Sequence, residues 1–303
     1  MLDFLQTLNQ LFEAGIAITA VSLFIRALTF NLSDRVSRAF AVILACVVIS
    51  FSGEAVSGAA QDPQSIEIWL RFQWLGTIFL PAAFMHFADA LLETTGKPSR
   101  GRRRLLIRLA YLSSGIFLMA LPNILVGPLV LEQTAIPHLA RTTISWVFTA
   151  YYAILMALAA HTIWRASQRT LLVSSRNRMS FLFGGSLALA VGSYPFLLLG
   201  SGFASNFPEW FLALAAVGNL LVFAALIVLA YTTAFFGVAW PDRVIRSRLF
   251  KWILRGPATV FVVLMIIPFV NRASGFLNTA EAIALPIMIA LSVLIIEHLI
   301  TLL

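Results

Sequence analysis

Nine apolar stretches, each long enough to cross a lipid bilayer as a helix, dominate this sequence. A spanning helix needs about 20 mainly apolar residues, because the hydrocarbon layer is roughly 30 Å thick and a helix rises about 1.5 Å per residue. No alternating pattern of the kind found in membrane strands competes with these stretches. The sequence therefore predicts an all-α, polytopic membrane helical bundle with about nine transmembrane helices. The predicted spans are residues 11–30, 39–59, 67–93, 105–123, 143–165, 179–200, 209–238, 252–270 and 279–301.

The composition agrees with a membrane protein and narrows the chemistry. Of the 303 residues, 60% are hydrophobic and 11% are charged, and the mean hydropathy is +0.92. The single cysteine, Cys46, lies in an apolar run, which excludes an intrachain disulfide and a thiolate metal site. The sequence contains no Walker-type phosphate loop, no HExxH zinc motif and no GxSxG nucleophile turn. We therefore expect that this chain is not an enzyme and binds no cofactor.

The basic residues determine the predicted orientation. All of the 21 lysines and arginines except Arg71, Arg141 and Arg272 fall on one side of the predicted bundle. Because basic connections stay on the cytoplasmic side, the N-terminus is predicted outside and the C-terminus in the cytoplasm, with the protein in the cell inner membrane. The first residues have no basic segment ahead of their apolar run, so we expect the first span to be retained rather than cleaved as a signal peptide.

The third predicted span, "WLRFQWLGTIFLPAAFMHFADALLE", contains an unusual number of polar residues. Arg71 near its start and Glu54 on the second span fall at a similar depth below the outer surface. Two interpretations remain open: Arg71 and Glu54 form an ion pair in an outward-facing pocket, or Arg71 reaches the lipid headgroups without a partner. The aromatic residues expected around such a pocket are Trp69, Trp74 and Trp210.

The middle of the same span contains Pro81. Proline has no backbone N–H, so it should kink the helix and free the carbonyl of Thr77. Such a kink acts either as a hinge or as a shape that improves packing against neighbouring helices.

The inner half of the span carries His86, Asp89 and Glu93 on one helix face, because their spacing is i, i+3 and i+7. This face could carry protons or hold a cation. It could equally pair with basic residues near the cytoplasmic surface, such as Arg26 or Arg108, without any activity.

Two histidines raise the hypothesis of a haem site. His86 and His161 lie at a similar inner depth on the third and fifth spans, and two facing imidazoles can ligate haem iron. A histidine inside a membrane also commonly hydrogen bonds a neighbouring helix, and that interpretation requires no metal.

The connection after the seventh span combines apolar and basic residues at helical spacing, so we expect it to lie along the cytoplasmic interface. Its simpler function is contact with anionic lipid, and its alternative function is to couple movements of the bundle. The basic residues of this connection are Arg243, Arg246, Arg248, Lys251 and Arg255. In the sixth span, small residues at Gly184, Ala188 and Gly192 share one face and should let another helix approach closely.

Three segments together resemble the seven-transmembrane N-terminal sensory region of bacterial histidine kinases. They are "WLRFQWLGTIFLPAAFMHFADALL", "SSRNRMSFLFGGSLALAVGSYPFLL" and "GNLLVFAALIVLAYTTAFFGVAWPDRVIRSRLF". The resemblance covers approximately residues 10 to 250 and implies a membrane input region that normally continues into a cytoplasmic signalling unit. No kinase sequence is present in the 303 residues, and two further apolar spans follow the seven.

These observations predict three parts: a seven-helix sensory-type region at 1–238, a basic interfacial connection at 239–256 and two further transmembrane helices at 257–303. The predicted function is a membrane signal-input module that detects a small or lipid-soluble cue and passes it to a cytoplasmic output. The candidate sensing residues are Glu54, Arg71, Trp74, Pro81, His86 and Asp89. The alternatives are a non-catalytic accessory subunit of a larger membrane complex and an ion-coupled transporter using His86 and Asp89. The expected partners are membrane lipids and other membrane subunits or a second copy of the chain, and not nucleic acid.

Overall fold

The computed structural model describes residues 1–30, 34–96, 101–131, 136–170, 173–234, 251–252, 254–277 and 293–295. Two short π-helical turns, Leu121–Leu125 and Leu254–Ala258, lie among the longer elements. Long helices dominate the fold, which confirms the predicted all-α polytopic membrane bundle. In chain order the elements are α1 (Leu2–Phe30), α2 (Arg35–Ala59), α3 (Pro63–Thr94), α4 (Arg102–Ala120), β1 (Val126–Val130), β2 (His138–Arg141), α5 (Thr143–Arg169), α6 (Val173–Gly192), α7 (Leu197–Asn206), α8 (Pro208–Ala234) and α9 (Thr259–Leu277).

Six of the described helices are long and apolar enough to cross a membrane, namely α1, α2, α3, α4, α5 and α8. They coincide with the first five and the seventh predicted spans. A further crossing is obtained if the bent pair α6 and α7 counts as one span. The eighth predicted span corresponds to α9, whereas the ninth, 279–301, lies outside the described residues except for 293–295. The described residues therefore support six or seven spans, where the sequence predicts nine.

The sixth predicted span, 179–200, is not one straight helix. α6 ends at Gly192, α7 begins at Leu197, and their axes differ by 65°. The break contains Pro195, which has no N–H to continue the helical ladder and disfavours helical geometry in the residue before it. α7 therefore turns away from the axis of α6.

The connection between α4 and α5 contains a short antiparallel hairpin, β1 and β2, that the hydropathy pattern does not predict. Leu129 pairs with Leu139 and Val130 with His138, and the register is irregular just before Leu129. Pro128 lies in this irregular part, where a residue without an N–H is tolerated.

The two ends of the bundle differ in character. We call the end that carries β1 and β2 the hairpin end. The opposite end, where α2 begins at Arg35 and α4 begins at Arg102, we call the basic end. The charge rule predicts that the basic end faces the cytoplasm.

α3 lies at the centre of the bundle and contacts α2, α4 and α5. In its apolar stretch of 18 residues, 83% of the residues are buried, whereas the buried share in the other candidate spans is at most 56%. The helix begins at Pro63, after an Asp62 carboxyl that accepts hydrogen bonds from Ser65, and these bonds lower the pKa of Asp62. The polar residues of the third predicted span are thus mostly surrounded by protein rather than by lipid.

α4, in contrast, presents a continuous apolar face to the outside. Such a face would promote aggregation of a protein in water, but it is stable against hydrocarbon. The exposed residues are Leu105, Leu109, Leu112, Ile116 and Met119.

Two glycines bring the backbones of α2 and α3 into close contact. A Cβ atom on Gly53 would lie 2.8 Å from the carbonyl oxygen of Trp69, and one on Gly76 would lie 2.8 Å from the backbone nitrogen of Ser50. Since the obstructing atoms belong to backbone, they cannot move aside without separating the helices. Small residues are the usual means of close helix packing in membranes.

A similar contact joins α6 to α8, although not through the whole predicted face. A Cβ atom on Gly192 would overlap Val222, and one on Gly185 would lie 3.2 Å from a side chain of α8. A Cβ atom on Gly184 would have no described residue within 4 Å, so the prediction that Gly184 takes part in this contact is wrong. Gly185 rather than Gly184 therefore lies at the interface with α8.

Candidate functional site

A cavity of about 860 Å³ lies at the hairpin end. Its walls come from α1, α2, α3, β2, α6, α7 and α8, so the site exists only in the assembled bundle. Its volume is within the range of about 300–1,000 Å³ that is common for small-molecule sites. Most of the lining is apolar, and a few polar side chains enter it.

Two carboxyl groups line this cavity, Glu13 on α1 and Glu54 on α2. They come from α1 and α2, which pack against each other. Among the described residues that line the cavity there is no lysine or arginine. Acidic side chains inside a membrane bundle are rare and mark functional positions by default, so this pair is an unusual feature.

An amide pair next to the carboxyls connects α1 to α8. The Asn219 amide Nδ2 donates to Oδ1 of Asn9 at 3.1 Å. Asn9 in turn donates from Nδ2 to the carbonyls of Leu5 and Leu212, each at 2.9 Å. Asn219 also lies beside the carboxyl of Glu13. Both asparagines are buried, so this hydrogen-bond network holds α1, which carries Glu13, against α8.

The break between α6 and α7 contributes a polar wall of its own. Ser193 is only 7% exposed and lines the cavity, and within the described part of the chain its hydroxyl has no hydrogen-bond partner. Next to it, the Tyr194 hydroxyl lies 2.7 Å from Oγ1 of Thr149, and its ring packs against Tyr152 at 5.1 Å between centroids. The break is thus held to α5 while the Ser193 hydroxyl stays available.

Of the three tryptophans expected around an outer pocket, only Trp74 lines the cavity. It is buried and packs against Phe148 at 5.4 Å between ring centroids. Trp69 stacks edge-on against Phe72 of its own helix, and Trp210 is 70% exposed. Both therefore lie outside the cavity lining.

The contacts of Arg71 match neither of the two interpretations, because it does not pair with Glu54 and it is not without a partner. Arg71 pairs with Glu67, one turn earlier on α3, with 2.7 Å between Nη2 and Oε1. The same guanidinium donates to the carbonyls of Leu121 and Pro122, at 3.4 and 2.6 Å, where α4 ends. A cation at the carboxyl end of a helix satisfies carbonyls that lack an internal donor. Arg71 therefore joins α3 to α4, and Glu54 faces the cavity instead.

The inner polar face of α3 forms an ion-pair cluster at the basic end. Arg35 donates to Asp89 at 3.0 Å and also to Glu93. Arg103 lies 3.4 Å from the other oxygen of Asp89, whose side chain is only 4% exposed. The face is thus neutralised by basic residues, as one of the two interpretations predicts. The partners are Arg35 and Arg103 rather than Arg26 and Arg108, because α2 and α4 begin directly beside this part of α3.

The histidines contact different aromatic rings. His86 is half-buried and its Nδ1 lies 3.5 Å from the hydroxyl of Tyr111 on α4. His161 is exposed and packs against Trp164 of its own helix. These contacts give no support to the hypothesis that the two imidazoles share a haem.

Pro81 is buried, and α3 continues through it as one helix from Pro63 to Thr94. The Ser114 hydroxyl of α4 donates to the carbonyl of Ile78 at 2.8 Å, one turn before the proline. This bond satisfies backbone in the region that proline disturbs, which favours a packing function there.

Most of the predicted interfacial connection lies outside the described residues, including Arg243, Arg246 and Arg248. Of the remaining two, Lys251 is half-buried and Arg255 is exposed. Trp252, between them, packs against α1: the guanidinium carbon of Arg26 lies 4.4 Å from the centre of its ring. Contact with anionic lipid stays a prediction.

Several residues of the cavity are not among those that the sequence pattern marks as candidates. Glu13 and Asn219 are polar residues inside predicted spans one and seven, and such residues mark functional or buried positions by default. A polar residue inside a predicted span was therefore a visible signal for both Glu13 and Asn219. Asn9 and Ser193 gave no comparable signal, because polar residues near the end of a span are common.

The family model for the N-terminal 7TM region of histidine kinase matches residues 14–226, more than half of the chain. The match contains α2 to α7 in full and most of α1 and α8, so it includes Glu54 and Ser193 of the cavity, whereas Asn9 and Glu13 precede it. Searches of curated proteins and of solved structures gave no match. The matched region is a non-catalytic, membrane-embedded input region of its kinases. This chain belongs to the family of N-terminal seven-transmembrane regions of histidine kinases.

Proposed function

We propose that this chain is a membrane sensory module that detects a small or lipid-soluble cue in the cavity at the hairpin end. The cavity is the observation that carries the proposal. It is large enough for a small molecule, and it is built by helices that continue to the opposite end of the bundle. Under the predicted orientation the cavity opens in the outer half of the bacterial inner membrane.

The structure supports a route from the cavity to the basic end. Ser50, Phe51 and Glu54 of α2 line the cavity together with Leu70 and Trp74 of α3. The same two helices pack closely through glycine and carry the Arg35, Asp89 and Glu93 cluster at their other ends. A ligand that favours one arrangement of α2 and α3 at the cavity would shift the population of arrangements at the basic end.

We infer that the output is a cytoplasmic signalling unit, because the matching family model describes the N-terminal region of histidine kinases. α1 lines the cavity and also contacts Trp252, so it is a second connection between the cavity and the segment that follows α8. The ion pairs of Asp89 favour a structural function for this residue over ion coupling. No contact within the described bundle specifically favours an accessory subunit.

Filling the cavity with protein tests this proposal. We choose Ala215→Trp, because Ala215 lines the cavity from α8, and Ala224→Trp as the matched control, because Ala224 is exposed on the same helix outside the cavity lining. Spin labels at Arg38→Cys and Arg169→Cys, in a Cys46→Ala background, report the distance between α2 and α5 at the basic end. Arg38 and Arg169 are exposed.

We expect Ala215→Trp to shift the distance distribution by about 2 Å, the scale of helix displacements in membrane and allosteric switches. Ala224→Trp should leave the distribution unchanged. Equal distributions for the wild type and Ala215→Trp, with both proteins folded as judged by helical circular dichroism in nanodiscs, would argue against transmission from the cavity.

A further inference from the structure

A pair of acids lines the cavity, together with His138, whose Nδ1 lies 3.3 Å from the carbonyl oxygen of Ile136. Glu13 and Glu54 both line it, and among the described lining residues no lysine or arginine accompanies them. Two other carboxylates of α3 have arginine partners: Glu67 pairs with Arg71, and Asp89 pairs with Arg35. Glu13 and Glu54 have no such partner among the described lining residues, and the cavity has room for a cation of another molecule.

A second observation, independent of the acids, shows that the cavity is equipped for a polar ligand. The Ser193 hydroxyl is more than nine-tenths buried, lines the cavity and has no partner within the described part of the chain. A buried hydroxyl without a hydrogen bond is costly, so such groups in folded proteins usually have a purpose. A ligand group beside Ser193 would satisfy it.

The remaining walls suit the body of an organic cation. Phe51, Trp74, Tyr194, Phe203 and Phe211 line the cavity with aromatic rings. Ring faces attract ammonium groups, and more strongly where water is excluded. Their apolar surface also accommodates a hydrocarbon chain. A carboxylate pair combined with aromatic walls is the arrangement that recognises an ammonium group attached to an apolar body.

We propose that the cavity binds amphipathic organic ammonium compounds, with the charged nitrogen between Glu13 and Glu54 and the apolar part against the aromatic walls. The proposal rests on the proposed sensory function, because it names the chemical class of the cue. A metal ion would leave most of the volume of about 860 Å³ unfilled. A carboxylate ligand would find no lysine or arginine among the described lining residues.

The experiment compares two probes of the same size and shape that differ in charge. 4-Phenylbutylamine is almost entirely cationic at pH 7, since an alkyl ammonium has a pKa of about 10. 4-Phenylbutan-1-ol is its neutral counterpart. Binding to the full chain in lipid nanodiscs is measured by isothermal titration calorimetry, with empty nanodiscs as the reference for partition into lipid.

We expect saturable binding of one amine per chain and at least about tenfold weaker binding of the alcohol, since a buried charge contact outweighs a neutral hydrogen bond. Glu54→Gln and Glu13→Gln should each weaken amine binding at least about tenfold without affecting the alcohol. Glu209→Gln is the matched control, because Glu209 is exposed on α8 and does not line the cavity. Two separate cavity variants keep the test valid if one of them does not fold.

The outcomes separate this inference from the proposed function. If the alcohol and the amine bind equally, and the glutamine variants change neither, the cavity accepts a ligand but the ammonium inference is overturned. If neither probe binds saturably, the inference is also overturned, and the label distances in Ala215→Trp still decide whether the cavity communicates with the basic end.

Discussion

At the scale of single residues, the polar groups of this bundle divide into those that stabilise it and those that remain available. Arg71 and Asp89 belong to the first group, because each is held by partners from a neighbouring helix. Glu54 and Ser193 belong to the second group, because both face the cavity. The third predicted span, which has the most polar residues, is therefore mainly a structural axis of the fold.

This division predicts that Asp89→Asn destabilises the protein. Its carboxylate is 4% exposed and contacts both Arg35 and Arg103, so neutralising it leaves two cations without a full partner. We expect a loss of about 1–3 kcal/mol in the free energy of unfolding, below the figure for a fully buried pair because the arginines are partly exposed. Denaturation with SDS in mixed micelles measures it.

Glu67→Gln is the comparison for Asp89→Asn. Glu67 pairs with Arg71 within one helix, and its side chain is 36% exposed. Pairs of this kind contribute about 0.5 kcal/mol or less. Equal losses for the two variants would contradict the assignment of Asp89 to the structural core of the basic end.

At the scale of elements, close packing of α2 on α3 depends on glycines that hydropathy does not reveal. We predict that Gly76→Ala is destabilising, by about 1–3 kcal/mol, because the new Cβ atom would overlap the backbone of α2 around Cys46 and Ser50. Thermal unfolding monitored by circular dichroism measures the change.

Gly115→Ala on α4 is the matched control with the opposite expected sign. Within the part of the chain that the structure describes, no atom lies within 4 Å of the position that a Cβ atom on Gly115 would occupy. Since glycine inside a helix is less favourable than alanine by about 0.5–1 kcal/mol, this variant should be neutral or slightly stabilised. A loss at Gly115 as large as at Gly76 would mean that the contact between α2 and α3 is not the cause.

The break between α6 and α7 is the element in which sequence and structure differ most. Hydropathy continues through residues 193–200, so a span is predicted there, whereas Pro195 ends the helical ladder and α7 departs by 65°. The proline is visible in the sequence, but Pro81 is equally visible and leaves α3 continuous. Packing decides between the two outcomes, since the Pro81 region is buried among neighbours and the Pro195 region is anchored by Tyr194 to α5.

At the scale of the whole molecule, the distribution of charge predicts which end faces the cytoplasm. In a Cys46→Ala background, Gln61→Cys near the hairpin end should react with a membrane-impermeant maleimide on intact cells. Gln168→Cys at the other end should react only after lysis. Both glutamines are exposed, so access to the reagent depends on the side of the membrane alone. The reverse pattern would invert the orientation and place the cavity in the inner half.

Three properties of this protein follow from its sequence without the structure: it is an all-α membrane bundle, six of its spans lie where hydropathy predicts them, and it belongs to the family of N-terminal seven-transmembrane regions. Hydropathy and helical length are local properties of the chain, so spans can be predicted without knowing which helices pack together. The contacts between helices became known from the structure alone. Arg71 donates to the carbonyl of Pro122 at the end of α4, and Asp89 forms an ion pair with Arg35. Glu13, Glu54 and Ser193 line one cavity. These relations depend on how each helix is rotated and where it bends, and a sequence of mostly apolar residues leaves both open until the helices pack.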